Sequence, residues 1–100
     1  MGDWKFEDSR MPTEQERRKL CEMLFQALLE IRILGRAGKA QQAADLADAF
    51  HNLPIFLWSD AFSLSFFRKF LESYRQKYPE AGFNYVEMLD KLIQEESEKA

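Results

Sequence analysis

The chain has 100 residues, a formal net charge of −3 and 46% hydrophobic residues, a composition that predicts one folded domain over residues 1–100. The acidic balance argues against a protein that binds nucleic acid or an anionic membrane, because both need a basic surface. A single cysteine excludes an internal disulfide, and no apolar run approaches the roughly 20 residues that cross a bilayer. We therefore expect a cytoplasmic protein.

The N-terminal segment, residues 1–12, is predicted to be an arm without regular secondary structure. It places Trp4 and Phe6 among charged residues and ends in Met11-Pro12. Terminal segments of this kind are poorly ordered unless side chains attach them to the domain. We expect the two aromatic side chains to dock the arm loosely on the helices.

A long amphipathic helix is predicted from Thr13 to Leu34. Thr13 and Glu16 have the spacing of a capping box, in which the two side chains satisfy backbone N–H groups at the start of a helix. Either Gly35 or Gly38 can end the helix, because glycine readily adopts the left-handed conformation that follows a last turn.

This first helix carries two apolar stripes. At about 100° per residue, a wide stripe contains Leu20, Met23, Leu24, Ala27, Leu28, Ile31 and Leu34. A narrower second stripe, nearly opposite, consists of Phe25, Leu29 and Ile33, and Glu22 and Glu30 lie on a polar strip between the two. A helix that is apolar on two sides is either sandwiched within its own chain or shared with a partner, and the sequence leaves both open.

A second helix is predicted from Ala37 to Asn52, before Pro54. Its inner face is predicted to consist of small residues, Ala40, Ala43, Ala44 and Ala47, with Leu46 and Phe50 at its edge and Asp45 and Asp48 on the solvent side. Because the link to the first helix has at most about four residues, the two helices form an antiparallel hairpin over about residues 13–52.

The segment at about 53–62 (LPIFLWSDAF) is predicted to be an irregular apolar link. Its side chains, Phe56 and Trp58 among them, are too apolar for all of them to face water. We therefore expect the link to fold over one end of the bundle, and a short helical turn after Pro54 is one form that it can take.

Two further helices complete the predicted fold. Asp60 or Ser63 is expected to cap a third helix that ends near Tyr78, and Asn84 a last helix whose stripe contains Val86, Leu89, Leu92 and Ile93. The predicted fold class is thus all-α: a single-domain, four-helix bundle-like fold with an antiparallel hairpin and an apolar link.

Reactive side chains are few. A thiol–imidazole pair would have to be Cys21 with His51, and Cys21 lies on the flank of the first helix's core face, where a thiol acts as a small hydrophobe. Asp48 and His51 share a helix face and are weak candidates for a metal site. A di-iron bundle needs a second such pair, and the chain has no other histidine. We therefore predict no catalytic residue, no metal and no cofactor.

The leading hypothesis is a small non-enzymatic protein–protein interaction module: an adaptor, an inhibitor or immunity-type protein, or an assembly subunit. Its partner would be another protein or a second copy of itself, which would make it a homodimer. The candidate partner-binding residues are Phe25, Leu29, Ile33, Phe56 and Trp58. The alternative is a helical pocket for an apolar or aromatic small ligand, because aromatic residues are dense between Phe50 and Tyr78.

Overall fold

The structure is a computed structural model that describes residues 13–58 and 64–99. These ranges form the helices α1 (Glu14–Arg36), α2 (Ala40–Phe50), α3 (Leu53–Trp58), α4 (Leu64–Lys77) and α5 (Tyr85–Lys99). The predicted all-α helical bundle is confirmed. The arm at 1–12 with Trp4 and Phe6, and the cap candidates Asp60 and Ser63, lie outside the described residues.

The first helix begins at the predicted capping box. The backbone N–H of Glu16 donates to the Thr13 hydroxyl at 3.0 Å, and the Thr13 N–H donates to the Glu16 carboxylate at 2.9 Å. The Thr13 hydroxyl also donates to Glu96 of α5 at 2.8 Å. The start of α1 is therefore attached to the last helix of the chain as well as satisfied locally.

The turn between α1 and α2 is a Schellman motif centred on Gly38. The backbone N–H of Lys39 donates to Leu34 at 2.9 Å, that of Gly38 donates to Gly35 at 3.2 Å, and Gly38 has φ +81°. Of the two predicted stop residues the chain uses the second, so α1 continues through Gly35. The turn occupies residues 37–39, and α2 therefore begins three residues later than predicted.

The four long helices form a closed ring in the order α1, α2, α4, α5. The helix α1 packs against α2 and α5, the helix α4 packs against the same two, and the short α3 packs on α1. The predicted α1–α2 hairpin is thus present, and α4 lies across the ring from α1. Among the described residues, no helix is both long and apolar enough to cross a membrane.

The core draws on every helix of the described chain. Its buried hydrophobic residues are Leu20, Met23, Ala27, Leu34, Leu46, Ala49, Phe50, Leu53, Phe67, Leu71, Tyr74, Tyr85, Leu89 and Leu92. Phe50 packs edge-on against Phe67, with ring centroids 5.5 Å apart, and against Tyr85 at 5.0 Å. One aromatic side chain of α2 therefore contacts both α4 and α5.

The buried face of α2 is centred near Leu46 and Phe50, which were predicted at its edge, and not on the alanines. Ala40 and Ala44 are exposed, whereas Leu46, Ala49 and Phe50 are buried. Leucine and phenylalanine remove more apolar area from water than alanine does, so the helix packs with those side chains inward.

The predicted link is helical over its first six residues, which form α3. Pro54 lies in the first turn, where its missing N–H has no helical partner to lose. Leu53 is fully buried, and the Leu57 carbonyl accepts a hydrogen bond from the Arg17 guanidinium of α1. Residues 59–63 lie outside the described residues.

The last helix begins at the predicted cap. The side-chain oxygen of Asn84 accepts a hydrogen bond from the backbone N–H of Glu87 at 3.1 Å. This satisfies one of the N–H groups that the first turn of a helix leaves without a partner. The cap of α5, like that of α1, is a local feature that residue spacing predicts.

The two glycines of the α1–α2 turn provide a matched test of this geometry. We expect Gly38→Ala to lower the free energy of unfolding by about 1–2 kcal/mol, because an L side chain resists a positive φ. Gly35 is helical, and a Cβ added there would meet no other atom. Gly35→Ala should therefore raise the free energy of unfolding by up to about 1 kcal/mol, because alanine favours the helix more than glycine does. Urea denaturation measures the free energy of unfolding of both variants. Equal changes in the two variants would contradict the assignment of Gly38 as the left-handed residue of the turn.

Candidate interaction surface on the first helix

The second stripe faces away from the core. Phe25 is 64% exposed, Leu29 39% and Ile33 62%. Leu28, which the sequence placed on the inner face, is 54% exposed and lies beside the stripe. An apolar surface of this kind marks an interaction site more often than scattered single residues do.

The orientation of α1 follows from its neighbours. Its buried residues are Glu16, Leu20, Met23, Ala27, Glu30 and Leu34. At about 100° per residue, Leu29 lies about 180° from Leu20 around the helix axis. Because α2 and α5 occupy the sides of the inner face, the second stripe is directed outward.

Charged side chains surround the second stripe. Arg18, Glu22, Arg32 and Arg36 are all exposed on the same side of α1. Glu22 lies toward the N-terminal end of the stripe and Arg36 beyond its C-terminal end. An apolar centre with a charged rim is the usual composition of a protein–protein interface.

The short helix α3 supplies the other predicted contact residues. The backbones of Phe56 and Trp58 belong to α3, and their side chains lie outside the description of the structure. Ile55 on the same helix is exposed, and α3 itself packs on α1. A binding role for Phe56 and Trp58 therefore stays a prediction.

The candidate catalytic and metal-binding residues, Cys21, Asp48 and His51, do not form a site among the described residues. The Nδ1 of His51 donates to the backbone carbonyl of Asp48 at 2.6 Å, and its ring packs edge-on against Phe70, with centroids 5.7 Å apart. Cys21 is exposed, not on the flank of the core as predicted. Within residues 13–58 and 64–99 no three His, Cys, Asp or Glu side chains are grouped so that they could hold a metal ion.

A buried polar pair was missed by the sequence analysis. Glu30, predicted on the polar strip of α1, is only 9% exposed, and its carboxylate accepts a hydrogen bond from the Tyr85 hydroxyl at 2.6 Å. Burial, followed by this hydrogen bond, raises the pKa of Tyr85. The available signal was spacing, because Glu30 lies three residues after Ala27 and four before Leu34, both on the core face.

Asp45 also differs from its predicted solvent position. Its carboxylate accepts hydrogen bonds from Lys77 at 2.8 Å, from the Tyr78 hydroxyl and from Gln41. The hydrogen bond from Lys77, and then that from Tyr78, lowers the pKa of Asp45 to about 2. The residue therefore connects α2 to the end of α4.

Two cavities bear on the alternative of a ligand pocket. One, of about 410 Å³, lies between α1 and α5 and is lined mainly by Lys19, Glu22, Gln26, Lys91 and Glu95, with two methionines and a leucine. The other, of about 470 Å³, is bordered by Glu30, Lys39, Lys77 and the turn after α4. A site for an apolar ligand is lined predominantly by hydrophobic side chains. Neither groove has such a lining, and the pocket hypothesis stays a prediction.

Comparison of the chain with models of protein families, with curated proteins and with solved structures gives no match in any of the three. No activity or partner can therefore be carried over from a relative. The functional inference therefore rests on the exposed second stripe and its charged rim.

The buried Glu30–Tyr85 pair should behave as a coupled unit. Tyr85→Phe leaves a buried carboxylate without its donor and should lower the free energy of unfolding by about 1.5–3 kcal/mol. Tyr85→Phe combined with Glu30→Leu should recover much of that loss, since no polar group is then left unpaired. A double-mutant cycle by urea denaturation measures the coupling, and additive effects of the two substitutions would contradict the pair.

The three tyrosines should lose their protons at higher pH in the folded protein than in the unfolded chain. Burial is the first cause of the raised pKa of Tyr74 and Tyr85, and the hydrogen bond to Asp45 is the first cause for Tyr78. Stability from these groups is fully present below the unfolded pKa of about 10 and is lost as the pH rises through the folded pKa. Tyrosinate absorbance should therefore rise at higher pH in native than in denaturant-unfolded protein. Coincident titrations would contradict this.

Proposed function

We propose that this chain is a small, non-enzymatic protein–protein interaction module that binds its partner through the second stripe of α1. The observation that carries the proposal is the exposure of Phe25, Leu29 and Ile33 on the outer side of a helix whose inner side packs in the core. Adaptor, inhibitor and assembly-subunit roles all use a surface of this kind.

The geometry of the surface favours a helical partner. Side chains spaced i, i+4, i+8 form a ridge along α1, and such a ridge packs into the groove between the side chains of a second helix. Burial of each of these large apolar side chains stabilises a complex by about 1.5–3 kcal/mol. Association itself costs about 4–15 kcal/mol, which offsets most of that gain, so we expect weak, reversible binding.

The proposal also includes a cytoplasmic location and the absence of catalytic activity. A free, exposed Cys21 is typical of a reducing compartment, which supports a cytoplasmic location. The single histidine already bonds a backbone carbonyl and packs on Phe70, which supports a role without catalysis. The predicted partner is a protein, not a nucleic acid or a membrane.

A photo-crosslinking residue on the stripe tests this proposal in cells. With p-benzoylphenylalanine in place of Phe25, we expect adducts whose mass exceeds that of the monomer, because the partner covers this position. The matched control places the same residue at Ser73, exposed on α4, where we expect no such adduct. Leu29→Arg, which puts a charge at the centre of the stripe, should abolish the Phe25 adduct without unfolding the protein.

Two results would refute the proposal. One is the absence of any adduct beyond the monomer mass at position 25. The other is an adduct that forms equally well at positions 25 and 73 and survives Leu29→Arg, because that adduct would not depend on the stripe.

A further inference from the structure

We propose that the partner on the second stripe is a second copy of this chain, with the two α1 helices antiparallel and related by a two-fold axis beside Leu29. This inference rests on the proposed function, because it assigns an occupant to the same surface.

Glu22, Leu29 and Arg36 are nearly aligned along the outer face of α1. They are spaced seven residues apart, which is close to two helical turns, so Glu22 and Arg36 leave α1 about 20° to either side of Leu29 and about 40° from each other. Phe25 and Ile33 lie about 40° to either side of Leu29. The outer face of α1 is therefore a short apolar seam with Glu22 at its N-terminal end and Arg36 at its C-terminal end, and the exposed Arg18 lies one further turn beyond Glu22.

An antiparallel pairing makes this seam self-complementary. With Leu29 opposite its own copy, Phe25 of one chain lies at the level of Ile33 of the other. Glu22 and Arg36 are equally far from Leu29, so each Glu22 lies at the level of Arg36 of the other chain. The two-fold axis repeats both contacts, as an isologous dimer requires.

Other arrangements of two α1 helices that use the same face have less favourable contacts between charged and apolar side chains. A parallel pairing in register would place Glu22 beside Glu22 and Arg36 beside Arg36, which repel. An antiparallel pairing shifted by one turn moves Leu29 off its own copy. In one direction it leaves Glu22 beyond Arg36; in the other it places Glu22 at the level of Arg32, about 60° from the line of Leu29, and Arg18 at the level of the like-charged Arg36. The charge pattern therefore selects both the direction and the register.

Both charged residues are available for such contacts. Glu22 and Arg36 are exposed, and neither has an ion-pair partner within residues 13–58 and 64–99. Exposed ion pairs contribute little to affinity but determine which arrangement forms. With a small apolar seam at the centre, we expect a dimer that dissociates in the micromolar range or above.

Charge reversal tests the register directly. By sedimentation equilibrium over about 1 µM to 1 mM, the wild type should dimerise. Glu22→Arg and Arg36→Glu should each weaken self-association about tenfold, because each places like charges at both ends of the seam. An equimolar mixture of the two variants should regain wild-type association, since both of its end contacts then pair opposite charges. The loss in the single variants should shrink at high salt.

A disulfide provides a second measurement that does not depend on charge. In a Cys21→Ser background, Leu29→Cys should oxidise to a covalent dimer. Helices packed 8–10 Å apart bring facing Cα atoms at a two-fold axis to about 4–5 Å, near the lower end of disulfide geometry. Ser73→Cys in the same background is the control and should stay monomeric.

Failure of the inference and failure of the proposed function give different results. A wild type that stays monomeric over the whole range, or a mixture of charge variants no stronger than either alone, overturns the homodimer. If the Phe25 crosslink then joins a different protein, the interaction surface stands with another partner. If the Phe25 crosslink forms only within one chain, the chain itself covers the second stripe and both proposals fall.

Discussion

Tyr85 is the side chain on which the arrangement of the bundle depends. Its ring packs edge-on against Phe50 of α2 with centroids 5.0 Å apart, and its hydroxyl donates to Glu30 of α1 at 2.6 Å. Phe50 in turn contacts Phe67 of α4. Tyr85, at the start of α5, and Phe50 together therefore connect all four long helices. A buried carboxylate needs a donor, so this hydrogen bond constrains where α1 and α5 can lie relative to each other.

The exposure of the second stripe is a consequence of that constraint. With Glu30 and Leu20 directed inward, the geometry of a helix leaves Leu29 on the outside. The described residues of α2 and α5 pack on the inner face of α1 and leave the second stripe exposed. The same contacts that close the core thus create an apolar seam with opposite charges at its ends. Both proposals follow from this single orientation of α1.

Features set by neighbouring residues were predictable from the chain. The capping box of Thr13 and Glu16, the cap at Asn84 and a glycine stop after α1 depend on spacings of three or four residues, and all are present. The inner face of α2 and the position of Leu28 were predicted incorrectly. Both depend on which apolar side of a helix packs against the neighbouring helices. Hydrophobic periodicity locates the apolar sides of a helix but does not predict which of them is buried.

The sequence by itself determined the helical class, the α1–α2 hairpin and the existence of a second apolar stripe, because each depends on local spacing and short connections. Only the tertiary structure decided that Glu30 is buried, that Leu28 is exposed and that the second stripe is left uncovered by the described helices. The physical reason is that burial is a property of the assembled ring. A side chain is inside or outside according to where the neighbouring helices lie, and a hydrogen-bond partner 55 positions away in the chain has no local signal.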